Sequence, residues 1–421
     1  MPLYRKTILD NGIRVVSEEI DHVRSISIGI WVMCGSRHED HQTNGMAHFI
    51  EHMLFKGTRN RTAFDIASAI DSVGGVMNAF TGKELTSFYI KIPDYHLAMA
   101  IDLLSDIFKN SLFDPEEIIK EKSVVLQEIN MLDDSPDDYI HDFFDEQFWK
   151  DHPLGYPVLG TKTLVEGFSR DAIVGFVNDR YRGENVVLTA AGNLKHDVLV
   201  ELVNGAFGSV DRKVRQNGIS APEASAGIAV IDKDLEQVHL VIGCPAPSSV
   251  SPQRYPSFLL NAVLGGSMSS RLFQEIREKR GLAYAIHSYL SPYKDVGMLG
   301  IYVGTGKEKI RDVVGLIFDE LLRMTNHSLT ELELQSAKEL IKGNFLLSME
   351  STDNRMTRLA RNEITFREHI PAEAVVREID AVTHEDVKAL AAEIFNPASI
   401  GLAAIGPITE KDLTLDILKF G

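Results

Sequence analysis

Disulfide frameworks, membrane-spanning segments and an excess of basic residues are all missing from this chain of 421 residues. Its two cysteines, Cys34 and Cys244, each lie in an apolar strand-like run, so we expect buried thiols in a reducing compartment. No apolar stretch approaches the roughly 18 residues of a transmembrane helix. The opening residues, MPLYRKTILDNG, lack the apolar core of a signal peptide. We therefore expect a cytoplasmic protein without a membrane partner.

Positive charge is scarce relative to negative charge. The chain has 43 Lys and Arg against 60 Asp and Glu, which gives a formal net charge of −17. This balance disfavours nucleic acids and anionic membranes as partners and favours basic ones. Hydrophobic residues make up 44% and charged residues 24%, which is typical of globular proteins long enough to form two or three domains.

The sequence HFIEH at residues 48–52 is the most informative motif. On a helix, His48, Glu51 and His52 share one face because residues three and four apart are neighbours there. Two imidazoles in this arrangement can bind one zinc ion, and the carboxylate can accept a proton from the attacking water. The alternative is a surface helix that carries two histidines by chance. The other side of the helix would carry the apolar residues Phe49, Ile50, Met53 and Leu54.

A zinc ion needs a further protein ligand, and residues 114–132 are the best place to look for it. The segment begins with Asp-Pro, a good helix start, and its carboxylates Glu117, Glu121 and Glu128 fall near one stripe. Acidic residues near the start of a helix usually form a solvated face. We expect Glu128 to be buried, because residues 124–126 are Val-Val-Leu, and a buried carboxylate needs a partner such as a metal.

At this point the chain resembles the pitrilysin/insulinase family, in particular its branch of mitochondrial processing peptidase and bacterial relatives. That family pairs the motif with a glutamate about 75 residues later. Here 75 residues separate His52 from Glu128, and Glu121 lies seven positions before Glu128. The resemblance implies one zinc ion per chain held by His48, His52 and Glu128, with Glu51 as general base. Glu121 would orient a ligand histidine.

The segment GGVMNAFT at residues 74–81 resembles the edge strand with which the family binds substrate backbone. A strand edge offers unpaired N–H and C=O groups, so a peptide can add to it as an extra strand. The resemblance implies that Asn78, Ala79 and Phe80 bind substrate. It also places Phe55 in the pocket that follows the scissile bond, although an ordinary core position is equally compatible with its sequence context.

In the second half of the chain, Arg277 and Tyr284 in IREKRGLAY match the Arg/Tyr pair of the family. The resemblance implies that this pair steadies substrate and oxyanion, for which a guanidinium and a phenol are suitable donors. Tyr284 also lies in an alternating strand pattern, so the alternative is a core tyrosine.

Residues 133–146, DDSPDDYIHDFFDE, are strongly acidic. The ordinary interpretation is a solvated helix start. In the processing-peptidase branch, acidic residues at this distance from the last zinc ligand bind a substrate arginine. The resemblance therefore implies an arginine pocket formed by Asp138 and Asp142.

The best linker in the chain is the small, polar, proline-containing segment 213–227. It separates a predicted zinc-binding domain, residues 1–212, from residues 228–421, which carry Arg277 and Tyr284 without a zinc motif. The two halves look like a divergent repeat. We expect an α+β fold of two homologous domains, each a mostly antiparallel β-sheet covered by helices.

The resemblance implies a zinc-dependent endopeptidase that hydrolyses extended, basic peptides or unfolded segments inside the chamber of a homodimer. The Arg/Tyr pair that faces each zinc site would come from the partner subunit. Two alternatives remain: a non-catalytic or partner-dependent scaffold subunit of the same family, and zinc-dependent hydrolysis of a substrate other than a peptide.

Overall fold

The computed structural model describes residues 3–213 and 218–413 of the chain, so residues 214–217 of the predicted linker 213–227 lie outside the described ranges. The strands in these ranges are β1 (Leu3–Ile8), β2 (Arg14–Glu19), β3 (Ser25–Val32), β4 (Val76–Thr81), β5 (Thr86–Pro93), β6 (Val186–Gly192), β7 (Gly227–Asp232), β8 (Val238–Ala246), β9 (Ala283–Pro292), β10 (Gly297–Thr305) and β11 (Gly401–Gly406).

The α-helices in the same ranges are α1 (Met46–Met53), α2 (Ala63–Asp71), α3 (Leu97–Asn110), α4 (Pro115–Asp133), α5 (Pro136–Phe148), α6 (Lys162–Gly167), α7 (Arg170–Arg180), α8 (His196–Phe207), α9 (Arg254–Leu264), α10 (Ile310–Asn326), α11 (Glu331–Ser348), α12 (Thr352–Thr365), α13 (Ala372–Ala381) and α14 (His384–Ile394).

The first sheet has six strands in the order β1-β2-β6-β3-β5-β4. Neighbouring strands are antiparallel except β2 and β6, which are parallel. The central strands β3 and β6 are buried along almost their whole length, as expected for strands covered on both faces. Strand β4 lies at the edge and alternates between exposed and half-buried residues, which is the pattern of a strand with one covered face.

The second sheet repeats this arrangement with five strands in the order β7-β11-β8-β10-β9. Only β7 and β11 are parallel neighbours, and β9 occupies the edge that corresponds to β4. The predicted fold class is confirmed: the chain is α+β, with two mostly antiparallel sheets covered by helices.

The chain forms two compact units, and neither is a continuous stretch of sequence. The first comprises the described residues of Met1–Met131, Tyr156–Ile219 and Ser348–His369. The second comprises the described residues of Leu132–Gly155, Ser220–Leu347 and Ile370–Gly421. Helix α5 thus belongs to the second unit and α12 to the first. The predicted domains 1–212 and 228–421 would assign α5 to the first domain and α12 to the second. In the structure each of these helices lies in the other unit, and we call this the exchange of α5 and α12.

Helix α12 covers one face of the first sheet. Its Met356 packs with Trp31 and Val187 of the strands in a buried apolar cluster. The carboxylate of Asp353, in the first turn of α12, accepts hydrogen bonds from the Ser27 hydroxyl at 2.6 Å and from another side chain of the sheet. The helix is therefore part of the core of the first unit.

Helix α5 covers the corresponding face of the second sheet with its Phe144 and Phe148. A Cβ atom at Gly243 would come within 2.5 Å of the Phe144 ring, and one at Gly401 within 2.9 Å of the Phe148 ring. Glycine is required at these two strand positions because the aromatic rings of α5 pack directly on the backbone.

The main core of the first unit lies on the other face of its sheet, against α1, α2, α3 and α8. Helix α1 and its C-cap residue Leu54 contribute the apolar side predicted from the motif, since all four predicted core residues are buried. Cys34 and Cys244 are buried and unpaired, as expected. None of the described helices is both long and apolar enough to cross a lipid bilayer.

Candidate zinc and active site

A buried carboxylate fixes the start of helix α1. Glu39 accepts hydrogen bonds from the backbone N–H groups of Gly45 at 2.8 Å and Ala47 at 2.7 Å, and from the Asn44 side chain at 3.1 Å. Burial raises the pKa of Glu39 to about 7, against the opposing effect of these donors. The acceptor satisfies N–H groups that the first turn of a helix leaves free, so α1 begins at a defined position.

The first unit brings His48, His52 and Glu128 together. The two histidines lie one turn apart on α1, and Glu128 projects from α4. Glu128 Oε2 lies 3.7 Å from Nε2 of His48 and 3.6 Å from Nε2 of His52. One candidate ligand atom from each residue falls within 4.8 Å of the other two.

This donor set fits a zinc ion. Ligand atoms about 2.0–2.2 Å from zinc at tetrahedral angles lie about 3.3–3.6 Å from one another, and the two distances to Glu128 are close to that range. Burial, assisted by the neighbouring charge of His52, lowers the pKa of His48 to about 4. The ring is therefore neutral near pH 7, which is the form that binds a metal.

The expected burial of Glu128 is wrong. Its side chain is 38% exposed, and Val124, one turn before it, is 39% exposed. The buried carboxylate of α4 is Glu121, which is 3% exposed. The run Val-Val-Leu suggested a covered turn, but only Val125 in it is buried, because a helix face turns away from the core every few residues. Glu128 is thus accessible to metal and solvent.

Glu121 connects the zinc-ligand group to a lysine. One of its oxygens lies 3.1 Å from Nδ1 of His52 and the other lies 2.6 Å from Nζ of Lys56. Burial raises the pKa of Glu121, but the hydrogen bonds with His52 and Lys56 outweigh it and hold the pKa below its usual value. A carboxylate on Nδ1 orients the ring so that Nε2 faces the metal. Nδ1 of His48 is buried and has no hydrogen-bond partner within residues 3–213 and 218–413.

Glu51 lies on the same helix and is held by a strand residue. The Thr81 hydroxyl donates a hydrogen bond of 2.5 Å to Oε2 of Glu51. Burial raises the pKa of Glu51, and the hydrogen bond from Thr81 opposes part of that rise. Glu51 is therefore placed beside the candidate ligands, with its orientation set by β4.

Strand β4 contains the predicted substrate-binding residues Asn78, Ala79 and Phe80. Among residues 3–213 and 218–413 it is the last strand of its sheet, and it pairs there with β5 on one side only. Asn78 and Phe80 are exposed and Ala79 is half-buried. An edge of this kind is geometrically able to accept a further strand.

Phe55 lies just after α1 and packs against the main core of the first unit. Its ring also lines a surface cavity of about 430 Å³, together with Ile66 and Ile70 of α2 and Met77 of β4. The two sequence interpretations, a core position and a pocket wall, are thus compatible with each other.

Arg277 and Tyr284 lie in the second unit and contact each other. Arg277 lies in a π-helical turn, Phe273–Glu278, and its guanidinium is 4.8 Å from the ring centroid of Phe273 and 5.1 Å from that of Tyr284. Tyr284, at the start of the edge strand β9, is 78% exposed. The alternative of a core tyrosine is therefore wrong.

Asp138 and Asp142 lie one turn apart on α5, which places both in the second unit. Asp138 is exposed and Asp142 is half-buried. Their predicted role in binding arginine stays a prediction.

Three residues around the site were not identified from the sequence: Glu39, Lys56 and Thr81. Lys56 follows His52 by four positions but lies beyond the end of α1 at Met53, so helix spacing does not place it beside Glu121. Thr81 is the residue after Phe80, but its contact with Glu51 depends on how β4 packs against α1. Glu39 precedes α1 by several residues, and an acidic residue near a helix N-terminus is the only signal that it gives.

Family models match most of the chain. The model described as insulinase, peptidase family M16, matches residues 14–162, and the model described as peptidase M16 inactive domain matches residues 167–341. The second model begins within the predicted first domain and extends into the half that has no zinc motif.

Curated relatives and solved structures agree with these matches. A Bacillus subtilis protein named an uncharacterized zinc protease is 40% identical over 96% of this chain and 98% of its own length. A Streptomyces coelicolor protein with the same description is 39% identical over 97% of this chain and 90% of its own length.

Among solved structures, a protease from Helicobacter pylori has a TM-score of 0.88 at 22% identity and covers 97% of this chain and 100% of its own. A Pseudomonas fluorescens structure described as peptidase M16 inactive domain has a TM-score of 0.90 at 20% identity, covering 96% of this chain and 98% of its own. At these identities the structures support the fold, whereas the family models and the sequence relatives establish the family: the chain belongs to the insulinase family, peptidase family M16.

Proposed function

We propose that the protein is a zinc-dependent endopeptidase. The observation that carries this proposal is the convergence of His48, His52 and Glu128 at zinc-ligand distances, with Glu51 on the same helix face. The names of the curated relatives, zinc proteases, support the same chemistry.

A zinc ion held by the three ligands would lower the pKa of a bound water and polarise the scissile carbonyl. The chain itself supplies the base. Glu51 accepts the proton of the attacking water and later delivers it to the leaving amine. Glu121 and Lys56 keep His52 oriented throughout, so the geometry of the ligands does not change with each turnover.

The substrate is proposed to be an extended peptide that adds as a strand to the open edge of β4, beside Asn78 and Ala79. Its backbone would pair with the N–H and C=O groups that an edge strand leaves free. The net charge of −17 and the acidic pair Asp138 and Asp142 favour basic peptides. Phe55 and Phe80 supply apolar contacts beside this edge.

We further propose a homodimer in which Arg277 and Tyr284 of each chain serve the zinc site of the other. Mixing two variants tests this arrangement. A Glu51→Gln chain and a Tyr284→Phe chain, each impaired alone, regain activity together if Tyr284 acts on the partner's site. If the pair acts within one chain, no intact site forms and the mixture stays impaired.

The first test of the activity is hydrolysis of a basic peptide library by the purified chain, with and without a chelator. We expect chelator-sensitive cleavage that zinc restores, and its loss in Glu51→Gln with zinc content unchanged. Glu116→Gln is the matched control, because Glu116 is an exposed glutamate on α4.

Two outcomes would contradict parts of the proposal. Equal cleavage of peptides whose arginines are replaced by alanine would remove the preference for basic substrates. A zinc-loaded chain that cleaves no peptide would remove the endopeptidase itself, and a scaffold subunit would become the better interpretation.

A further inference from the structure

The hydrogen bond between Thr81 and Glu51 joins the proposed base to the proposed substrate strand. Thr81 Oγ1 lies 2.5 Å from Oε2 of Glu51, and no other hydrogen bond to this carboxylate occurs within the described residues, 3–213 and 218–413. Glu51 is half-buried and extends from helix α1. A glutamate side chain has three rotatable bonds, so a hydrogen bond to its carboxylate favours the rotamers that keep this bond.

Thr81 is the last residue of β4, and its place in the strand explains the contact. Met77, Ala79 and Thr81 are the half-buried positions of the strand, whereas Val76, Asn78 and Phe80 are the exposed ones. Alternate residues of a strand face the same side. Since Thr81 reaches Glu51, the half-buried face is the one that packs on α1.

The hydrogen-bond directions of the two neighbouring threonine hydroxyls, Thr81 and Thr86, follow from their acceptors. Thr86, which pairs with Thr81 in the β4–β5 register, donates its own hydroxyl hydrogen to the carbonyl of Cys34 at 2.9 Å. The two threonine hydroxyls are 3.4 Å apart. An ionised carboxylate only accepts hydrogen bonds, so the hydrogen of Thr81 points to Oε2 of Glu51. The other oxygen of Glu51, Oε1, is thereby left to take the proton of the attacking water.

We infer that Thr81 is a positioning residue, which holds the carboxylate of Glu51 in the orientation needed for proton transfer. The inference rests on the proposed peptidase function. In this arrangement the edge of β4 binds the substrate backbone, and the end of the same strand orients Glu51, which itself extends from α1. General-base catalysis contributes about 10²–10⁴-fold to a rate, and it depends on a base within hydrogen-bond reach of the proton.

The test compares three substitutions in the zinc-loaded, full-length protein. Thr81→Val keeps the shape of the side chain and removes the hydroxyl, and Thr81→Ser keeps the hydroxyl. Thr7→Val is the matched control, because Thr7 is a half-buried strand threonine whose hydroxyl hydrogen-bonds another side chain, His196 at 2.9 Å.

We expect Thr81→Val to lower kcat by roughly 10-fold or more, a part of the full contribution of a general base. KM and zinc content stay unchanged, because the backbone edge and the metal ligands are intact. Thr81→Ser and Thr7→Val retain the kcat of the wild-type protein. The inference is overturned if Thr81→Val keeps its kcat, if its loss lies in KM or zinc content, or if Thr81→Ser is equally impaired.

A second measurement does not depend on turnover. A crystal structure of the zinc-loaded wild-type protein is expected to show Glu51 in one conformer. In the crystal structure of zinc-loaded Thr81→Val, we expect Glu51 to be displaced or to occupy more than one conformer. An identical, single Glu51 conformer in both would overturn the inference. A wild-type protein that cleaves no peptide would instead contradict the proposed function, and the two crystal structures would still decide whether Thr81 positions Glu51.

Discussion

The side chain of Lys56 balances the charge of Glu121. Glu121 is almost fully buried, and its second oxygen contacts the zinc-ligand candidate His52. A buried carboxylate without a cationic partner carries a large desolvation cost. Lys56, four residues after His52 and beyond the end of α1, supplies that partner. Its Nζ lies 2.6 Å from Glu121, while its own side chain stays partly exposed.

Lys56→Met is therefore expected to weaken zinc binding. The variant keeps the length of the side chain but leaves Glu121 with only His52 as a partner, so the orientation of the ring is less well defined. Partners of metal ligands typically contribute about 10–100-fold to metal affinity, and we expect a loss near the lower value. The measurement is the zinc Kd by competition with a chelator.

The matched control is Lys120→Met, which removes an exposed lysine paired with Glu117 on α4. An unchanged zinc Kd in Lys56→Met, or an equal loss in Lys120→Met, would contradict the role of Lys56.

At this scale, the sequence indicates those side-chain arrangements that depend on local spacing, such as the shared helix face of His48, Glu51 and His52. The motif at 48–52 predicts two ligands and a base from helix geometry alone. The sequence does not indicate Thr81, which follows Glu51 by 30 residues. Its contact with Glu51 arises only because β4 packs against α1. The sequence also does not reveal that Glu128 is partly exposed, because apolar neighbours in sequence do not specify which face of α4 is covered.

At the scale of elements, α5 packs on the second sheet around a histidine. Nδ1 of His141 lies 2.9 Å from the Tyr289 hydroxyl, and its ring lies 5.2 Å from that of Tyr289 and 5.5 Å from that of Tyr302. Burial lowers the pKa of His141, and His287 adds to this effect, whereas Asp138 and another aspartate of the same turn oppose it. The neutral ring is thus the form that fits between helix and sheet.

The sign of the resulting pH dependence follows from the lowered pKa. A histidine whose pKa is lower in the folded protein than its usual value of 6.5 stabilises the fold above that value. This stability is lost as the pH falls below about 6.5. We expect the melting temperature of the wild-type protein to fall more between pH 7.5 and pH 5 than that of His141→Gln.

Melting curves at both pH values measure this difference. The control is His327→Gln, which replaces an exposed histidine after α10. Parallel pH dependences of the wild-type protein and His141→Gln would show that α5 is not held by a neutral ring.

The existence of α4, α5 and β4 was accessible from the sequence, because their boundaries are marked by Asp-Pro, Ser-Pro and Gly-Gly. The sheet on which each helix packs was not. Phe144 and Phe148 make one side of α5 apolar, but that pattern is the same for either sheet. The information lies in Gly243 and Gly401, which are distant in sequence and make room for the two rings.

At the scale of the whole molecule, the exchange of α5 and α12 makes each compact unit depend on both halves of the sequence. Besides its apolar contacts, α12 is held on the first sheet by the buried residue Glu363. The carboxylate of Glu363 forms ion pairs with Arg14 and with Lys6. If the halves before and after the linker were produced separately, each would therefore lack one of the helices that cover its sheet. The zinc-binding unit is expected to need residues that lie about 300 positions after its motif.

Met356→Asp tests this dependence in the intact chain. Met356 is 1% exposed and packs with Trp31 on the first sheet. Replacing it with aspartate removes a large apolar side chain and buries a charge, which costs about 3–5 kcal/mol or more. We expect a lower melting temperature, a reduced zinc content and faster hydrogen exchange in β2, β3 and β6. Arg361→Asp, at an exposed position on the same helix, is the control and is expected to keep the zinc content and hydrogen exchange of the wild-type protein. Because β8 and β10 belong to the other unit, faster exchange confined to them would show that α12 stabilises the second unit instead.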